Sequence, residues 1–313
     1  MIIRKLLAAA LVLLPLTPSA AQSDPLAQNY TPDPAIWKLA DEDTTIYLFG
    51  TIHLLPEGFR WRSAGLDRIV AEVDTLVLES SEEDALASLD AYSPKMQSVQ
   101  AGRAPTSQRL SPALRGAWRQ MIESSGRDFA TVDTMPLPLA MLGLDGGGSG
   151  GGPSRQELGV ETVLSAEFAE SGRPIESIEN HGAVMLSLMR MDDAPILAEL
   201  SAELAGSQGQ QRLAGQHAPI QYAPAVADWS MEHAWARGEI DPDFDLGLGN
   251  GKVGVAFQRV LLARRNEAWS YWLKNRLERP GTILVAVGAG HFEGQRSVHY
   301  YLDQRGLEAE RIN

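Results

Sequence analysis

The sequence predicts an α/β fold, a mostly parallel central sheet flanked by helices, with a large mainly helical insertion at residues 183–280. Three observations carry that expectation. Two apolar runs far apart in the chain, Thr45–His53 and Thr282–His291, share one pattern: β-branched and aromatic residues with no helical punctuation, then Gly-x-x-His. Both runs are continuously apolar rather than alternating, as expected of strands covered on both faces. Two further runs, Val73–Glu79 and Arg173–Glu179, also end in a residue able to bind a ligand. In open α/β sheets ligands bind beyond the carboxyl ends of the strands, so the two histidines are expected to meet on one rim.

Residues 1–21 read as a secretory signal peptide: Arg4 and Lys5, the apolar run Leu6–Leu16, then small residues Ser19, Ala20 and Ala21 before Gln22. The rival reading is an uncleaved anchor. The expectation is an exported protein, periplasmic or secreted. Residues 22–34, with Pro25, Pro32 and Pro34, look like a tether, and residues 35–313 like the folded α/β domain. Cysteine is absent, so disulfides, thiol nucleophiles and thiolate metal sites are excluded. A net charge of -13 argues against a nucleic-acid partner. The expected partner is a peptide or small-molecule substrate.

In chain order, Trp37–Leu39 is a first strand, and Asp41-Glu42-Asp43 turns into the first Gly-x-x-His strand. Leu66, Ile69, Val70 and Val73 have helical spacing, and Val73–Glu79 is the next strand. Ser81 with Asp84 resembles a capping box, which accounts for Glu82, Glu83 and Asp84 as acids of a helix amino terminus. Residues 111–123 read as a helix capped by Ser111 with Pro112 in first position. The glycine run within 145–154 lacks the lysine of a phosphate-binding loop and reads as a linker. Arg155–Glu170 is a helix and Arg173–Glu179 a short strand. From His181 to Leu277 the pattern is mostly helical, interrupted by a Gln/Ala/Gly/Pro-rich loop at 208–223, and Val255–Leu277 is one long helix. After the second Gly-x-x-His strand, Gly294–Arg305 is a helix and Leu307–Ile312 an edge strand.

His53, Glu79, Glu179 and His291 thus all lie just past strands. Neighbouring strands are about 4.8 Å apart, so side chains from adjacent strand ends can converge on one ion. Imidazole nitrogen and carboxylate oxygen are ligands for a divalent metal, which acidifies water and polarises carbonyls. A glutamate not bound to metal is a candidate general base. His181, His217, His233 and His299 read as structural or surface residues, and Trp269 and Trp272 as core.

The motifs Leu48-Phe49-Gly50-Thr51-Ile52-His53, Leu76-Val77-Leu78-Glu79, Gly159-Val160-Glu161, Pro174–Glu179, Arg265-Asn266 and Val287–His291 occur in the order seen in the TraB/GumN (TraB/PrgY/Tiki) family, which the chain resembles over residues 35–313. That family is similar in fold to the erythromycin-esterase and ChaN-like α/β proteins, and its Tiki members are metalloproteases. The resemblance implies a metal-dependent hydrolase of the peptidase kind using Mn, Co or Zn. It implies His53, His291, Glu79 and Glu179 as metal ligands, with Glu79, Glu179 and Arg265 catalytic. Arg265 would stabilise an oxyanion or, structurally, pair with Glu79 or Glu179. Asn180-His181 after the second glutamate and the glycine run depart from the family pattern. Two alternatives stay open: metal-free hydrolysis like that of the erythromycin esterases, and non-catalytic binding of haem or a peptide.

Overall fold

Six strands form the central sheet of the computed structural model, which describes residues 25–145, 154–213, 229–246, 248 and 251–313. The expected signal peptide, the glycine run at 146–153, His217 and most of the expected loop at 208–223 lie outside those residues. The first half of the chain runs through β1 (Ile36–Ala40), β2 (Thr44–Thr51), the short β3 (Leu55–Pro56), α1 (Ala64–Glu72), β4 (Thr75–Leu78), α2 (Glu82–Gln100), α3 (Thr106–Arg109), α4 (Arg115–Ser124), α5 (Phe129–Thr134) and α6 (Leu137–Asp145). It continues through β5 (Ser154–Arg155), which pairs with β3, then α7 (Val160–Glu170), β6 (Ile175–Ser177), α8 (His181–Met189), α9 (Ala194–Leu213) and α10 (Ser230–Ala236). Last come α11 (Lys252–Gln258), a π-helical turn (Arg259–Ala263), α12 (Arg264–Arg276), β7 (Gly281–Gly288), α13 (Val298–Asp303) and β8 (Glu310–Arg311).

The strand order is β6-β4-β7-β2-β1-β8. β6, β4, β7 and β2 are parallel, and β1 returns antiparallel on β2 through the expected acidic turn. β8 closes the edge against β1. The last long strand, β7, therefore slots between β2 and β4. That insertion puts the two Gly-x-x-His segments side by side, with Thr51 level with Gly288.

Alternate residues of the buried strands feed two apolar layers. Leu284 and Ala286 of β7 face α1 and α7, packing with Phe49, Leu66, Ile69, Leu164 and Phe168. Ile283, Val285 and Val287 face α12 and α13, packing with Trp269, Leu273, Val298 and Leu302. These are the two covered faces that the continuous apolar runs require. The expected helical insertion does not have a core to itself: Leu188, Ile196, Leu200, Phe257 and Val260 share one cluster with Leu110, Trp118, Ile122 and Leu137. Helices from both sides of β6 need each other to bury their apolar faces.

Several local expectations change for identifiable reasons. Ser111 makes no capping bond; Pro112–Leu114 form a 3-10 turn before α4 begins. Ser81 does cap α2 by accepting from the Asp84 N–H, but the Asp84 carboxylate takes the Ser177 hydroxyl instead of completing the box. The expected helix Arg155–Glu170 is broken at Gly159, whose Cα lies so close to the His53 carbonyl that an added Cβ would sit 2.0 Å from it. The loop expected from Gln208 starts later, because α9 continues to Leu213. The described part of the expected tether lies on the body, with the Gln28 Nε2–H donating to the Arg60 carbonyl at 2.7 Å and the Tyr30 hydroxyl 2.7 Å from His233 Nδ1.

Candidate active site

Along the carboxyl rim of the sheet, Glu179, Glu79, His291 and His53 follow β6, β4, β7 and β2, in the order of the strands themselves. The two glutamates stand beside each other, since the Glu179 N–H donates to the Glu79 carbonyl at 3.2 Å. Behind them α12 supplies Arg265. Its Nε and Nη2 donate to Glu179 at 2.8 and 2.7 Å, and Nη2 also donates to Glu79 Oε2. Its Nη1 donates to the Leu261 carbonyl at 2.9 Å, inside the π-helical turn. A π-turn widens the helix and frees carbonyls, and such turns are frequent at functional sites.

Arg265 therefore acts as a clamp. A guanidinium has five N–H donors, and four are engaged within this cluster. The oxyanion role expected from the resemblance has one N–H left to serve it, while the structural alternative, pairing with both glutamates, is what the geometry shows. Glu179 accepts three hydrogen bonds, because Trp269 Nε1–H donates to its Oε2 at 2.9 Å as well. Its carboxylate faces the arginine and the indole, not the histidines. Trp269, read from sequence as core alone, is buried and also lies 4.1 Å, ring centre to ring centre, from His291.

Glu79 turns its other oxygen toward the histidines. Oε1 accepts the Gly288 N–H at 2.9 Å and lies 3.6 Å from His291 Nε2. Burial works against its charge, but Arg265, the two histidines and the Gly288 N–H outweigh it and hold the carboxyl down to about 2. His291 is buried, and burial together with the Arg265 charge pushes its imidazole down to about 3. It is neutral at physiological pH.

Each imidazole is gripped from behind at Nδ1. His291 Nδ1 meets Asn266 Oδ1 at 2.5 Å, and Asn266 Nδ2 donates to the Arg296 carbonyl at 2.7 Å. That second bond fixes the amide so that its oxygen faces the ring. His291 therefore carries its proton on Nδ1 and presents a lone pair at Nε2. His53 Nδ1 lies 2.6 Å from Glu161 Oε1, which also takes the Thr51 hydroxyl. The Glu161 bond raises His53 to about 9, against the opposing effect of burial. The His53 side chain is 63% exposed, the most open member of the cluster.

The space these groups surround lies over Gly288. A Cβ added there would meet Glu79 Oε1 at 3.2 Å, His53 Nε2 at 3.4 Å and His291 Cδ2 at 3.6 Å. Two imidazoles with Nδ1 tied to an oxygen and Nε2 turned inward, beside one carboxylate oxygen, make a donor set that suits a divalent metal. As they stand, no group of three or more His, Asp or Glu side chains among the described residues lies close enough together to hold an ion. Of the four ligands expected from sequence, His53, His291 and Glu79 Oε1 face the space over Gly288 and are the residues that would hold one, while Glu179 bonds Arg265 and Trp269.

Sequence reasoning gave Glu161 no role because it sits in the first turn of α7, not past a strand. Its signal was Gly159: the glycine allows α7 to start against the His53 carbonyl. Trp269 lies four residues after Arg265, one turn along the same helix face, which is the spacing that could have joined it to the site.

Comparison with known proteins bears on the chain as a whole. A protein of Amphimedon queenslandica named "Metalloprotease TIKI homolog" is 22% identical over a 365-residue alignment that covers 98% of this chain and 67% of that protein. No solved structure matches the chain. The sequence profile of the TraB/PrgY/gumN family matches residues 35–311, from the residue before β1 to the end of β8, and the chain belongs to that family.

Proposed function

We propose that the protein is a hydrolase of the peptidase type, exported, that works with a divalent metal held by His53, His291 and Glu79. The observation that carries this reading is the pair of imidazoles gripped at Nδ1 by Glu161 and Asn266, with both Nε2 atoms turned toward Glu79 over Gly288. The printed name of the Amphimedon relative supports the same chemistry. The metal would supply a water acidified toward neutral pH and a polarised scissile carbonyl. Arg265 keeps Glu79 ionised and fixes both Glu79 and Glu179 in place. His291, kept neutral by burial, offers a lone pair at every pH near neutrality. His53 must give up a proton to become a ligand, because Glu161 holds it protonated near pH 7. Substrate reaches the cluster from the exposed His53 side.

A second reading is metal-free hydrolysis, and the exposed His53, held protonated by Glu161, favours it. Protonated His53 is then a general acid for the leaving group, and Glu79 orients the attacking water. One experiment addresses both readings: metal content and peptide hydrolysis of wild type and His291→Ala, before and after dialysis against a chelator. The first reading requires about one divalent metal per chain in wild type, lost together with hydrolysis in the variant. Hydrolysis that survives complete chelation sinks it and leaves the second.

A further inference from the structure

Arg190, Lys252, Arg259 and Arg264 come from two separate stretches of the chain and line one groove of about 500 Å³. The groove lies between the end of α8 and start of α9 on one side and α11 with its π-helical turn on the other. All four cations are exposed, and among the described residues none makes an ion pair. The one acid in the lining, Asp192, already has an oxygen turned back to the Ala194 N–H at 3.1 Å. In a chain of net charge -13, four exposed cations gathered around one concavity with a single acid in its lining concentrate positive potential there.

The groove shares the π-helical turn with the candidate active site: the turn contributes Arg259 and Val260 to the groove, and its Leu261 carbonyl holds Arg265. A second cavity of about 420 Å³ shares Val255 and Arg259 with the first but is lined by Asp243, Asp245 and Glu293, so the basic character ends at the first groove. The floor of the basic groove is apolar, with Ile196, Val253 and Val260. A cationic rim over an apolar floor suits an extended polypeptide carrying both carboxylates and aliphatic side chains. A nucleic acid would face the repulsion of the remaining acidic surface.

We propose that this groove seats an acidic segment of the polypeptide substrate, beside the π-helical turn whose Leu261 carbonyl holds Arg265. The identity of the ligand as substrate rests on the peptidase reading; its acidic character rests on the groove alone. The test is fluorescence anisotropy of the full chain with a labelled peptide of alternating Glu and Leu, against its Lys/Leu counterpart. The Glu/Leu peptide should bind, more weakly as salt rises, and the Lys/Leu peptide should not. The double variant Arg190→Glu/Lys252→Glu, both exposed and outside the candidate site, should weaken binding by roughly tenfold or more. Its melting temperature and metal content should equal those of wild type. Equal binding of the two peptides, or no effect of the double variant, overturns the proposal. So does binding to phosphatidylglycerol vesicles without binding to the Glu/Leu peptide. If the chain hydrolyses nothing yet binds the acidic peptide through these residues, the peptidase reading fails and the groove stands.

Discussion

Glu161 shows how much one carboxylate decides at the residue scale. It accepts from both Thr51 and His53, so it fixes the direction of the β2 terminus and the tautomer of the imidazole together. Glu161→Gln keeps an oxygen for Thr51 but removes the negative charge. His53 should then titrate well below its present value of about 9, towards the ordinary 6.5. Proton-detected NMR titration of the His53 ring checks this, and hydrolysis should fall about 10–100-fold, the usual cost of losing a ligand's outer partner. An unchanged titration would mean that Glu161 is not the group holding the proton on His53. Arg265 gives a second residue-scale prediction. With Arg265→Met, the part-buried Glu79 and Glu179 lose their shared guanidinium, which costs up to about 3–5 kcal/mol. Glu79 then loses the strongest of the charges that hold it down, so its carboxyl rises from about 2. A depressed carboxyl contributes stability above its unfolded value and loses that contribution as pH falls through the folded one. The gap between variant and wild type in urea unfolding should therefore be wider at pH 7 than at pH 3.

Two glycines at element boundaries separate folding from function. Gly159 lets α7 begin against the His53 carbonyl, and a methyl there would sit 2.0 Å from that oxygen, a distance that backbone must move to relieve. Gly159→Ala should lower stability by about 1–3 kcal/mol or more, as overpacking does, and displace His53. At Gly288 the nearest atoms to an added methyl are 3.2–3.6 Å away and belong to the tips of Glu79, His53 and His291. Gly288→Ala should melt within a few degrees of wild type and yet lose most metal binding and hydrolysis, because the methyl fills the space between the donors. If both variants lost stability equally, the space over Gly288 would be packing rather than a site. The contrast also explains what the sequence disclosed at this scale. Strand ends carrying Gly-x-x-His and terminal glutamates were legible because continuous apolar runs announce buried strands and glycine punctuates them. Glu161 and Asn266 stood out only as parts of family motifs, with no chemical role, and Trp269 read as core, because a residue on a helix face looks the same whether it faces solvent, core or site.

Across the whole molecule, what periodicity could not convey was which strands are neighbours: β7 lies between β2 and β4 only in the folded sheet. The same arrangement packs the last helix against the β1 edge, burying His299 between Trp37 and Phe292 at ring separations of 4.6 and 5.6 Å. Its Nε2 is buried with no hydrogen-bond partner among the described residues. Burial pushes the ring down to about 4, although Asp303 pulls the other way. The unfolded chain takes up a proton near 6.5 and the folded protein does so only near 4, so stability should fall as pH drops from 6.5 to 4 and level off below. The total is on the order of 3 kcal/mol. His299→Phe keeps the aromatic contacts, removes the unpaired nitrogen and removes the titration. It should be near neutral or mildly stabilising at pH 8 and stabilising by about 1–2 kcal/mol at pH 5. Denaturant unfolding of both proteins across pH 4–8 measures the difference directly. Parallel curves would mean that His299 is solvated in the folded protein and that acid sensitivity arises elsewhere on the sheet.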